Sequence, residues 1–145
     1  MRRHSLTLLG LLATSACAAQ PGICVRAPSL SIVAEPDMND NSAVALDLVF
    51  ITERAALPLI EGLSARDYFA RKAAVQGELV AALQIVALQL PTGLVMKPVL
   101  PARPKCFAAI FAFANYRSEG SHRLSLDAST VELRLRRDGA TVLRR

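Results

Sequence analysis

The chain has no tryptophan, only 5% aromatic residues and two histidines, and each scarcity closes a class of function. Without an aromatic platform or a recognisable binding motif, its arginines do not read as a nucleic-acid surface. Zinc needs three or four Cys, His or carboxylate ligands in a cluster, and no such spacing occurs. His4 lies in the leading segment and His122 heads a strand, so neither reads as a general base. Ser121 and His122 are neighbours in sequence, which makes no triad, and no G-x-S-x-G elbow, G-x-G-x-x-G or Walker loop is present. Asp37, Asn39, Asp40 and Asn41 carry oxygens, but the twelve-residue calcium loop and its closing Glu are missing, and turn chemistry accounts for them. No catalytic residue, no metal and no dissociable cofactor is expected.

Long apolar runs are also absent. The longest leading run, Leu6 to Leu12, is far short of the roughly 20 residues that span a hydrocarbon core. It follows Arg2 and Arg3 and precedes the small residues Ala13 to Ala16, which is the three-part layout of an export signal. Simple cleavage at Thr14-x-Ala16 or Ala16-x-Ala18 is one outcome. The other is lipidation, because Thr14-Ser15-Ala16-Cys17 resembles a bacterial lipobox, although Thr14 stands where Leu is commonest. The resemblance implies acyl chains on Cys17 as the first mature residue, enough for a stable anchor where a single chain holds only marginally. Ala18 is not the Asp that signals inner-membrane retention, so the outer membrane, with the protein facing the periplasm, is the expected destination. The expected division is a signal over 1–16, an acylated cysteine and linker over 17–28, and one folded domain over 29–145.

What remains is sufficient for one core. The full chain is 52% hydrophobic with a net charge of +5, and removing Arg2 and Arg3 leaves 5 − 2 = +3. The basic excess gathers at the end, where Arg134, Arg136, Arg137, Arg144 and Arg145 face Glu132 and Asp138. With Cys17 used for lipid, Cys24 and Cys106 form an even pair in an oxidising space and are expected to bridge.

Periodicity predicts strands. Leu30 to Glu35 and Ala43 to Glu53 flank a turn-forming loop, and two antiparallel strands joined by it are the simplest outcome. Ser64 and Asp67 match a capping box that opens a short helix from Ala65 to Ala74, with Gly77 as its breaker. Gln84 to Leu90 and Leu94 to Val99 are expected to pair across Pro91-Thr92-Gly93. Cys106 to Tyr116 has the large-and-small alternation of a central strand. Two clean alternations follow, and Asp138-Gly139 marks a hairpin into Ala140 to Leu143. Seven or eight short strands and one inserted helix make an all-β, two-sheet sandwich.

The order of these features, with "DYF" in the helix and "FAFANYR" followed by "HRLSLD" late in the chain, resembles the TssJ family of outer-membrane lipoproteins of bacterial type VI secretion. That resemblance implies a transthyretin-like sandwich without a catalytic centre, which grips the periplasmic end of the inner-membrane protein TssM. It assigns the grip to the loop after the first strand, here Pro36, Asp37, Met38, Asn39, Asp40, Asn41 and Ser42 up to Ala43; within it Met38 is the only sizeable apolar side chain and is expected to enter a partner pocket, with Asp37, Asn39, Asp40 and Asn41 as the polar rim. "MNDN" lacks the Pro that follows Asn in the family's loop. A pilotin-like or assembly lipoprotein of another secretion or pilus system, and a periplasmic ligand-binding module, share the tether and the lack of chemistry.

Overall fold

The structure is a computed structural model that describes residues 23–145. The signal segment and Cys17 lie outside the described residues. Eight strands run in chain order: β1 Ser31–Ala34, β2 Val44–Ile51, β3 Leu83–Leu90, β4 Val95–Met96, β5 Ala109–Ala114, β6 Arg123–Leu126, β7 Thr130–Leu135 and β8 Ala140–Arg144. They form two four-stranded sheets, ordered β4-β1-β7-β8 and β3-β2-β5-β6.

Two local pairings expected from sequence are not made. β1 and β2 sit in different sheets, and β1 instead pairs in parallel with β7, Ala34 opposite Leu135. Likewise β3 pairs with β2 while β4 pairs with β1, so Pro91-Thr92-Gly93 crosses between sheets. The reason lies in burial on two faces. β1 hides Ile32 and Ala34 on one face only, whereas nearly every residue of β2 is buried. A strand buried on both faces needs a neighbour on each edge and a cover over each face, a central place that a hairpin with β1 would not supply. β5 takes the other central position, as its large-and-small pattern indicates.

The cover over the outer face of β2 and β5 is the helix Ala65–Glu78. Ser64 caps it, its Oγ accepting the Asp67 backbone N–H at 3.1 Å and donating to Asp67 Oδ2 at 2.6 Å. Contrary to expectation, Gly77 does not break the helix, which continues to Glu78 before Leu79 closes it. A 3-10 turn at Arg54–Ala56 and a one-turn helix at Leu57–Ile60 were not legible as elements, being too short for any period. Tyr68 stacks on Phe113 at 4.3 Å, and its hydroxyl donates to Asp47 Oδ2 at 2.8 Å. Asp47, the one charged residue of β2, is 2% exposed and is held at 2.7 Å by Lys72 Nζ. A buried carboxylate is tolerable here because the hydroxyl and the ammonium both bond it.

Two cores result. Ile32, Leu46, Leu48, Phe50, Ile110, Leu133 and Leu135 fill the space between the sheets. Val49, Ile51, Ile60, Tyr68, Val75, Phe111 and Phe113 fill the space under the helix.

Candidate functional site

Strand directions define two poles. β2 runs from Val44 to Ile51, and β5 lies antiparallel to it with Ala109 opposite Ile51. The loop from Pro36 to Ala43 therefore lies at one end of the sandwich, and Cys106, just ahead of β5, lies at the other. Seven steps along β2 separate these poles by about 23 Å.

Three connections meet at the first pole. Between β1 and β2, the backbone of Asn39, Asp40 and Asn41 is left-handed, with φ of 48°, 52° and 59°. Asn and Asp tolerate that region better than other residues, yet three in succession store roughly 1 to 2 kcal/mol each. The cost is offset by fixed partners. Asn39 Oδ1 accepts the Arg117 backbone N–H at 2.9 Å, Asn39 Nδ2 donates to the Ala43 carbonyl at 3.4 Å, and the Asn39 N–H reaches the Arg136 carbonyl at 3.3 Å. The loop is thereby joined to the connection after β5 and to the β7–β8 hairpin.

The same hairpin carries the arginine cluster. Arg137 lies 3.5 Å from Asp37 and 3.3 Å from Asp40, while Glu35 meets Arg134 at 3.2 Å and Arg136 at 3.7 Å. The acidic loop and the basic strand end, distant in sequence, are one mixed-charge surface. Among the described residues, the arginines at this end are interleaved with acids and form no single-sign stripe.

Met38 corrects the expected site. It is 0% exposed, packed among the residues between the two sheets, and is not available to fill a partner's pocket. Asn39 is also buried and acts inside the loop. Of the remaining positions, Pro36, Asp40 and Asn41 are exposed, and Asp37 and Ser42 are half-buried. Met38 packs into the sandwich just ahead of the left-handed residues, Asn39 after it is buried and bonded to Arg136, and the chain reaches the surface only at Asp40 and Asn41.

Sequence reading overlooked the connection after β5. Tyr116 stacks on His122 at 4.8 Å, and His122 Nε2 lies 3.0 Å from the Ser118 carbonyl. Ser118 Oγ donates to the Asp138 carbonyl at 3.0 Å, so this connection also grips the hairpin. His122 has φ of 45° and is half-buried at the pole, a brace rather than a simple strand-leading surface residue. The Tyr116 hydroxyl is buried with no hydrogen-bond partner among the described residues. Burial raises its pKa, the nearby Arg136 backbone amide works against that, and the charges of Glu35 and Asp138 add to the rise. The Gly- and Ser-containing run between β5 and β6, "NYRSEGSH", was the signal available.

At the opposite pole Cys24 and Cys106 are bonded, with Cα atoms 4.8 Å apart. Val25 and Phe107 exchange two backbone hydrogen bonds of 2.9 Å beside them. The chain that leads back to Cys17 leaves the domain here. Among the described residues no group of three or more His, Cys, Asp or Glu is placed to hold a metal, and no helix is long and apolar enough to cross a membrane.

No protein-family model matches the chain, and no curated protein matches it in sequence. Its fold does have solved counterparts. The type VI secretion lipoprotein TssJ1 from Pseudomonas aeruginosa superposes with a TM-score of 0.60 at 18% identity, covering 80% of this chain and 93% of that one. Serratia marcescens Lip, a membrane-bound component of the type VI secretion system, superposes with a TM-score of 0.52 at 16% identity, covering 85% and 99%. The chain shares the β-sandwich fold of these TssJ lipoproteins.

Proposed function

We propose that this protein is a non-enzymatic lipoprotein of a type VI secretion membrane complex, anchored by lipid on Cys17 to the outer membrane, where it faces the periplasm and binds the periplasmic domain of a TssM-like inner-membrane protein. The observation that carries the reading is the fold likeness, which spans 93% of TssJ1. The reading takes 1–16 as the signal, 17–28 as the acylated cysteine and tether, and 29–145 as the body.

The grip is assigned to the three-loop pole, with Pro36, Asp40, Asn41 and the facing Arg137 as the presented groups. A loop already held in a strained, bonded conformation loses little freedom on binding. It also lies opposite the tether, on the side turned away from the anchoring membrane.

The test exchanges Asp40 and Asn41 for Gly, which accepts the same left-handed backbone while removing the polar side chains. Titration calorimetry against the periplasmic domain of the TssM-like protein should show affinity falling about tenfold, equivalent to about 1.4 kcal/mol. Unchanged affinity in a folded variant moves the interface away from this pole.

A further inference from the structure

The tether pole carries charge of a different kind from the loop pole. Arg26, Arg103 and Lys105 are all exposed there, and none enters an ion pair among the described residues. Arg26 and Lys105 line one open depression of about 480 Å³ with Pro101, Ala102 and Pro104, directly beside Cys106. Arg103 stands between them in the chain, its carbonyl held at 2.9 Å by Gln84 Nε2. The acids of this pole do not cancel them. Asp127 is taken by Arg144 at 3.6 Å, and Glu53 and Glu78 lie on the helix side, around a separate depression with Val80. Ile23, 68% exposed, adds an apolar side chain next to Cys24.

We propose that this pole is a seat for an anionic lipid surface, in which Arg26, Arg103 and Lys105 contact headgroup phosphates around the point where the tether leaves. The idea rests on Cys17 being the acylated residue for its reason to be near a membrane, since seven residue steps bring Cys24 within about 24 Å of the leaflet whatever path they take. That reach lets the pole come to the surface itself, where basic side chains are drawn to anionic lipid over a Debye length of about 8 to 10 Å and an apolar neighbour reaches the headgroup level. Because Cys24, Val25 and Phe107 clamp the tether to the sandwich, seating this pole orients the whole domain and directs the three-loop pole into the periplasm.

The binding step itself needs neither lipid on Cys17 nor a protein partner. The described residues form a complete sandwich with two cores, so the chain beginning at Ala18 keeps the fold, and circular dichroism checks it. Co-sedimentation is measured with vesicles of phosphatidylcholine alone and of phosphatidylcholine with one quarter phosphatidylglycerol. Binding is expected only to the second, and it is expected to vanish in about 0.5 M salt, where screening shortens to a few ångström. Replacing Arg26, Arg103 and Lys105 together by Gln should weaken binding about tenfold or more. Replacing Arg117, Arg136 and Arg137 by Gln at the far pole should leave it unchanged. Equal binding to both vesicles, no binding to either, or loss only in the far-pole variant overturns the seat. Those results leave the anchor and the TssM-type contact untouched, and failure of either of those leaves the vesicle result standing.

Discussion

Asn39 and Arg117, 78 positions apart, are joined by one hydrogen bond, the Arg117 backbone N–H donating to Asn39 Oδ1 at 2.9 Å. That bond ties the strained loop after β1 to the connection after β5, across the seam between the two sheets. Asn39→Ala removes the acceptor, leaves a part-buried amide unpaired and places an alanine at φ 48°. A loss of about 1 to 3 kcal/mol is expected from denaturant unfolding. A change below a few tenths would show that the loop holds itself without the bond.

Met38 separates a core residue from a surface anchor. Met38→Ala should cost about 2 to 5 kcal/mol, as for other fully buried side chains. Met38→Leu should cost less than about 1.5 kcal/mol. Near-zero loss for the alanine variant would return Met38 to the surface.

Tyr68 and Tyr116 predict alkaline sensitivity. Burial raises both phenols, and for Tyr68 the bond to Asp47 and that carboxylate's charge raise it further. The unfolded chain releases these protons near pH 10 while the folded chain keeps them, so their contribution is complete below about pH 10 and declines above it. Each tyrosine adds a slope of up to about −1.4 kcal/mol per pH unit in that range. Unfolding midpoints taken between about pH 9 and 11 should flatten in Tyr68→Phe relative to the parent, which checks the assignment.

The disulfide closes a sequence separation of 82 residues. On the chain-entropy model, exchanging Cys24 and Cys106 for Ser lowers stability by roughly 4 to 5 kcal/mol. Mass measurement of periplasmic protein under non-reducing alkylation should find neither thiol modified. Two alkylated thiols would mean that the bridge does not form in the cell.

Cys17→Ser tests the anchor. It should abolish palmitate labelling and release the protein from the membrane fraction. Continued labelling would place the lipid elsewhere.

The alternation of β6 and β7, the Asp138-Gly139 hairpin into β8, the capping box at Ser64 and the large-and-small pattern of β5 were legible because each depends on neighbours within a few positions. By itself the sequence determined that the chain is built of short strands with one helix, and that a turn follows β1. It did not determine which strands pair, because the partners of β1 are β4 and β7, some 60 and 100 positions away, and only burial of β2 on both faces forces that arrangement. The buried trio of Asp47, Tyr68 and Lys72 was hidden for the same reason, since a charged residue in an alternating strand reads as solvent-facing until a helix is laid over it. Tertiary structure alone decided that Met38 belongs to the core, and that the acids after β1 and the arginines of the last hairpin form one surface: three left-handed residues reverse the chain there, and parallel pairing of β1 with β7 brings the two segments to the same end.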